Sequence, residues 1–189
     1  MNNLKKIVII GPESTGKSTL CGLLANHYHT LWCREYAREY LLTHGREYTF
    51  ETLLTIAKGQ LALEEETVKR ETVFINEQSA IHNPQSPVFI DTDMYVMKVW
   101  CEYVFNKCHS FILEQLAKRT YDLYLLCNID LPWVEDELRE YPDEKSRMEL
   151  YHIYKDILVN QNTPWVEISG NYEERLQTGV SAVDAVLNK

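Results

Sequence analysis

The sequence predicts an α/β fold of three layers: a five-stranded parallel sheet flanked by helices, with a small lid, in a single domain over residues 1–189. Three observations predict it. Residues 6–20, KIVIIGPESTGKSTL, place a β-branched apolar run, a glycine loop and the start of a helical pattern in direct succession. Short apolar runs then alternate with helix-period patterns along the chain, as parallel strands covered on both faces do. Finally, the stretch 129–147 breaks that alternation with Pro132, Pro142 and many acidic residues, which reads as an excursion from the core.

The elements follow in order. Ile7 to Ile10 is a buried strand, and Gly11 to Ser18 reads G-P-E-S-T-G-K-S, a full match to the phosphate-binding pattern G-x-x-x-x-G-K-S/T. Such a loop curls so that successive backbone N–H groups point at a phosphate, and Gly11 and Gly16 permit the close approach. Lys17 is expected to reach the β- and γ-phosphates and Ser18 to place its hydroxyl on Mg²⁺. The helix from about Lys17 to His27 adds the partial positive charge of its N-terminus.

Leu31 to Cys33 is a candidate second strand that exits through Arg34 and Glu35 into a helix, and Gly45 marks that helix's end. Thr49 is the expected N-cap of a long helix whose apolar face runs from Phe50 through Leu53, Leu54, Ala57 and Leu61 to Val68. On its exposed side Glu65–Lys69 and Glu66–Arg70 are spaced to pair. The helix weakens between Thr72 and Ala80, and residues 82–87, HNPQSP, read as a loop. Val88 to Asp91 is a strand ending in a carboxylate, followed by a helix carrying Val96, Val99 and Trp100. A helical piece over 111–118 and a strand over 122–127 come next. After the excursion, Ser146 to Glu149 reads as a capping box opening a helix. A short strand over 164–168 and a last helix opened by Asn171 and Glu174 complete the chain.

Ligands bind such sheets at the carboxyl ends of the strands. The glycine loop, Glu35, Asp91 and Asn128 all fall there. Asp91 reads either as a metal carboxylate beside the loop or as a helix cap. Asp93 reads as a substrate contact or a first-turn acid. Glu35 reads as a proton acceptor or ribose anchor, or as a solvated helix start with Arg34 and Arg38. Arg139 and Arg147 read as charge-neutralising lid arginines or as solvated ones. Tyr36, Tyr40, Tyr95 and Trp133 offer faces for a planar base, although packing is the commoner role of aromatics. Gln60 reads as an amide-binding group or a solvated one.

A net charge of −9 argues against broad nucleic-acid or anionic-membrane binding. The five cysteines form no C-x-x-C pair, so neither a disulfide framework nor a zinc site is indicated. No signal peptide or membrane span is legible at the N-terminus, and the expected location is the cytoplasm. Asn128-Ile129-Asp130 lacks the lysine of the guanine-binding N-K-x-D pattern, which speaks against a GTPase switch.

Together, GPESTGKSTL, REYARE, FIDTD and YDLYLLCNIDLPWVEDELRE resemble the ribosylnicotinamide kinase domain of NadR-type proteins, over nearly the whole chain. The resemblance implies a P-loop kinase fold of the AAA-type ATP-binding class. It also implies phosphorylation of the 5′-hydroxyl of nicotinamide riboside by ATP and Mg²⁺. By motif position, Gly11, Pro12, Glu13, Ser14, Thr15, Gly16, Lys17, Ser18 and Thr19 then hold ATP, and Ser18 and Asp91 the metal. Lys17, Glu35, Asp91, Arg139 and Arg147 form the catalytic set; Glu35, Tyr36, Arg38, Gln60, Asp93 and Trp133 face the nucleoside. One departure stands in the lid, where Glu137 occupies the place expected for a glycine before Leu138-Arg139. The alternatives are a deoxynucleoside or nucleoside-monophosphate kinase, or an ATP-dependent regulator without an acceptor.

Overall fold

A computed structural model describes residues 4–77 and 86–188, so the expected loop over 82–87 lies largely outside the described residues. Among the described residues, twelve elements follow one another as β1 (Lys5–Ile10), α1 (Lys17–Tyr28), β2 (Trp32–Cys33), α2 (Tyr36–His44), α3 (Phe50–Glu77), β3 (Pro87–Asp91), α4 (Met94–Phe105), α5 (Ser110–Lys118), β4 (Leu123–Cys127), α6 (Glu144–Val159), β5 (Trp165–Ile168) and α7 (Tyr172–Leu187). The five strands form one sheet in the order β2-β3-β1-β4-β5. Every pairing is parallel.

The side-chain alternation of β1 explains the layers. Ile7 and Ile9 point to one face, where Leu20 and Leu24 of α1 and Val183 of α7 close over them. Val8 and Ile10 point to the other, against Val99 of α4 and Tyr154 and Leu158 of α6. A further cluster joins α2, α3, α4 and α5 through Leu41, Leu53, Ile56, Met97 and Ile112. The three central strands are buried along nearly their whole length because helices cover both faces.

Helix ends follow local chemistry, with some departures from the sequence reading. The Thr49 hydroxyl accepts the Thr52 N–H at 3.2 Å, as an N-cap does. Asn171 and Glu174 form the expected capping box. At α6 the reading is corrected: the helix starts at Glu144, and the Asp143 carboxylate, rather than Ser146, caps it by accepting the Ser146 N–H at 2.8 Å. A carboxylate at the N-cap is favoured by both the free N–H groups and the helix dipole. The lid is therefore the irregular run from Asn128 to Asp143, and Arg147 belongs to a helix. Glu66 and Arg70 approach to 4.0 Å as spaced. Glu65 instead reaches Arg119 at 2.5 Å, because Arg119 is already held by the buried Glu64. The five cysteines are free thiols, and all but Cys108 are buried.

Candidate active site

β1 lies between β3 and β4, so the chain leaving β1 emerges where the sheet's connections diverge, the position at which open parallel sheets collect ligands. Gly11 sits there with φ 143°, and a Cβ on it would stand 2.8 Å from the Cys127 carbonyl oxygen. Gly16 takes a left-handed φ of 77° as the loop turns into α1. The Thr15 hydroxyl and the Lys17 ammonium both donate to the Pro12 carbonyl at 2.7 Å. The lysine is thus folded back over the loop, and among the described residues it makes no hydrogen bond to a carboxylate.

β3 delivers the second component. The Ser18 hydroxyl donates to Asp91 Oδ2 at 2.5 Å. The other oxygen, Asp91 Oδ1, is buried with no hydrogen-bond partner. Burial first, and then the nearby Glu35 carboxylate, push the Asp91 carboxyl up to about 7, against the opposing pull of Lys17 and the Ser18 hydroxyl. A hydroxyl paired with an under-satisfied carboxylate at the edge of a phosphate loop suits a magnesium ion, which takes one or two carboxylate or hydroxyl oxygens and completes its shell with phosphates and water. Thr92, the next residue, is held at φ 80°. That is an uncommon conformation for a β-branched side chain, of the kind that concentrates at functional sites. It turns the chain so that Asp91 meets Ser18 while Asp93 caps α4.

A cavity of about 470 Å³ opens over the loop. Its floor is Gly11 to Thr19, and Glu35, Arg38 and Arg139 line its wall. Beyond them it becomes aromatic and apolar, with Trp100, Tyr103, Tyr141 and Tyr154. The lid closes it. Asp136 takes both terminal nitrogens of Arg38, at 2.7 and 3.2 Å, and this pairing holds the Asp136 carboxyl below its ordinary range. Arg139 donates to the Val134 carbonyl within the lid itself.

Several residues singled out from the sequence have other occupations. Gln60 is buried; its amide oxygen accepts the Tyr36 N–H at 2.7 Å, and its nitrogen reaches the Arg34 and Asp91 carbonyls. It ties β2, α2 and β3 together from inside and is not solvated. Asp93 is fully buried, caps α4 by accepting the Tyr95 and Val96 N–H groups, and accepts the Tyr124 hydroxyl at 2.8 Å. Arg147 is buried and donates to the Ile129 and Leu131 carbonyls, pinning the root of the lid. Tyr36 packs flat on Gly59, where a Cβ would stand 2.1 Å from its ring. Tyr40 stacks on His44 and Tyr95 packs on Tyr124. None of these side chains, nor Trp133 or Asp91, is among those lining the cavity.

Two contributions escaped the sequence. Trp100 and Tyr103 lie on the same α4 stripe as Val96 and Val99, and that spacing reads as core; only the opening left by the neighbouring helices makes it a wall. Arg175 follows two glutamates in the first turn of α7 and reads as a surface ion-pair partner. It is buried instead, donating to the Gly170, Thr15 and Asn128 carbonyls and to Asp130, and so ties the phosphate loop to the ends of β4 and β5.

Comparison with known proteins agrees with this architecture. A family model described as an AAA domain matches residues 6–175. The chain is 27% identical over 191 aligned residues to the trifunctional NAD biosynthesis/regulator protein NadR of Escherichia coli K12, covering 98% of this chain and 43% of NadR. The Salmonella typhimurium NadR is 25% identical over the same share of each chain. This chain thus spans less than half the length of these curated relatives. Among solved structures, a NadR protein in complex with NR aligns with TM-score 0.74 at 24% identity, covering 98% of this chain and 50% of that one. A NadR protein in complex with NAD and AMP-PNP aligns with TM-score 0.69 at 23% identity and the same coverage. Thymidylate kinase from Ehrlichia chaffeensis aligns with TM-score 0.65 at 13% identity over 96% of this chain and 98% of that one. The resemblance to NadR read from the motifs therefore extends over nearly the whole chain, and the P-loop kinase-type fold is the one observed. No helix among the described residues is long and apolar enough to cross a membrane.

Proposed function

Because this chain belongs to the AAA domain family, with an intact phosphate-binding loop, we propose that it is an ATP-dependent kinase that phosphorylates a nucleoside, nicotinamide riboside above others, to its 5′-monophosphate. The observation that carries the reading is a single cavity running from the phosphate loop to an aromatic wall, with Glu35 on its side. Transfer from a nucleoside triphosphate to a planar base's ribose needs these two halves in one enclosure.

ATP lies with its phosphates against Gly11 to Thr19. Lys17 leaves the Pro12 carbonyl for the β- and γ-phosphates. Ser18 and Asp91 would hold Mg²⁺, which would supply electrostatic neutralisation of the phosphate oxygens. Glu35 lines the cavity whereas Asp91 does not, so Glu35 receives the proton of the attacking hydroxyl and Asp91 serves the metal. Arg139, the lid arginine on the cavity wall, faces the charge of the transferred group. A lid drawn down over bound nucleotide would keep water from competing for that group. The distal half suits a planar, cationic ring, because Trp100, Tyr103 and Tyr141 line it beside the Glu140 carboxylate. Nicotinamide riboside carries such a cation; thymidine and adenosine do not. Free cysteines and the absence of paired thiols suit the reducing cytoplasm as its location.

The test is a panel of acceptors with purified protein and Mg-ATP, read by mass spectrometry. Nicotinamide riboside is expected to be phosphorylated faster than thymidine, adenosine or thymidylate. ATP hydrolysis indifferent to every acceptor would replace this reading with that of an ATP-dependent regulator. Faster transfer to thymidylate would replace it with a nucleoside-monophosphate kinase. In the same assay Asp91→Asn should lower turnover by about 100-fold and raise the Mg²⁺ concentration needed for half-maximal rate. An unchanged Mg²⁺ requirement would remove Asp91 from the metal site.

A further inference from the structure

Two side chains of the phosphate loop are occupied by the lid. Glu13 accepts the Glu140 N–H through Oε2 at 3.0 Å and the Tyr141 N–H through Oε1 at 2.6 Å. Ser14 Oγ accepts the Val134 N–H at 3.0 Å. The loop thus grips the lid at both ends of the stretch 134–141. A carboxylate in a loop that gathers a polyanion is out of place on charge alone, since it repels the phosphates. Here both of its oxygens are engaged by backbone donors, in the bidentate, charge-assisted arrangement that makes the stronger hydrogen bonds.

The opposite edge of the lid is tied to the acceptor side of the cavity. Asp136 pairs with Arg38 of α2, Glu137 with Arg46 at 2.8 Å, and Glu140 accepts the Tyr48 hydroxyl at 2.8 Å. Arg46 and Glu137 are largely exposed, and such pairs contribute little. The bond to Glu13 differs in holding the backbone of Tyr141, whose side chain lines the cavity.

We propose that Glu13 is a positioning residue that latches Glu140 and Tyr141 of the lid onto the phosphate loop, and so sets the wall against which the acceptor binds. Its effect falls on acceptor binding more than on ATP binding. The kinetic part of the proposal rests on the kinase reading above; the latch itself does not.

Glu13→Gln tests it, because a glutamine offers one acceptor oxygen and turns an NH₂ group toward the second N–H. In the ligand-free full chain, hydrogen–deuterium exchange read by mass spectrometry should quicken in peptides covering 134–143 and stay unchanged in those covering β1 and α4. Lid exchange that matches the wild type overturns the latch, whether or not any acceptor is known. In kinetic assays the acceptor KM should rise about tenfold, the loss of one charged hydrogen bond, against a smaller rise in the KM for ATP. Glu13→Asp, which keeps both oxygens, should recover part of the acceptor KM. A rise confined to the KM for ATP overturns the assignment. If the wild type itself phosphorylates no acceptor, the kinase reading fails, and the exchange measurement still decides the latch.

Discussion

Replacing Lys17 with alanine is expected to lower the proposed phosphoryl transfer by about 100- to 1,000-fold, the range for removing one group that stabilises transition-state charge, while leaving the fold in place. The reason lies in what the side chain does when no nucleotide is bound. Its ammonium donates at 2.7 Å to the Pro12 carbonyl, a bond the Thr15 hydroxyl also makes to the same oxygen. Removing the lysine leaves that carbonyl satisfied, and the buried Asp91 carboxyl, which loses the opposing pull of Lys17, takes up a proton more readily in place of holding an unpaired charge, so stability should change by no more than about 1 kcal/mol. Two measurements separate the roles. Thermal unfolding of the free variant should match the wild type, while the upward shift that Mg-ATP produces in the wild type should shrink, since a ligand stabilises in proportion to its affinity for the native state. Wild-type turnover by Lys17→Ala would remove the lysine from the reaction.

Arg175→Met has the largest expected effect on stability. Arg175 is buried, and its guanidinium meets three carbonyls and one carboxylate drawn from three segments of chain. Methionine fills much of the space and offers no donor. The Thr15 carbonyl contact is itself buried and loses its partner, and Asp130 keeps its charge with only the Gly170 N–H as a remaining partner. The exposed Asp130 carboxylate is solvated once released and adds little, so the cost comes from the carbonyls that lose their donor, about 2–3 kcal/mol, which for a domain of this size is a fall in Tm of roughly 5–10 °C. Because Thr15 belongs to the phosphate loop, affinity for ATP should fall as well, and Arg175→Lys should recover little of either, lacking the fork that reaches several acceptors at once. A melting temperature within experimental error of the wild type would show that water replaces the guanidinium.

The sequence and the structure agree most closely where a local pattern carries the whole requirement. The strand, glycine loop and helix of Lys6–Leu20 are written in adjacent residues, and so are the Thr49 and Asn171 caps and the positive-φ turn at Gly45. Asp91 at the end of an apolar strand was legible because a parallel sheet presents its carboxyl ends to the ligand. That the Ser18 hydroxyl donates to Asp91 is a tertiary contact between β3 and the start of α1.

Agreement fails where one residue type serves two environments. Gln60 and Asp93 are polar residues near the site, and spacing alone does not tell a ligand-facing amide or carboxylate from one consumed by backbone N–H groups. Burial decides it, because a buried polar group without a partner is costly and takes whatever donor or acceptor the fold supplies. Arg147 was expected over the phosphates and instead holds the Ile129 and Leu131 carbonyls at the base of the lid, since α6 begins earlier than its Ser146 signal suggests.

By itself, then, the sequence determined the parallel sheet, the place of the phosphate loop and the existence of a lid, because periodicity and glycine spacing act between neighbours in the chain. Only the tertiary structure decided what faces the loop. Trp100 on the cavity wall, Glu13 on the lid backbone and Arg175 beneath Thr15 all act across long separations in sequence, and packing leaves Glu35, one of the carboxylates the sequence offers, on that wall. Contacts of that kind depend on how helices pack over the sheet, and no local pattern of residue types encodes which carboxylate or guanidinium that packing will leave facing the cavity.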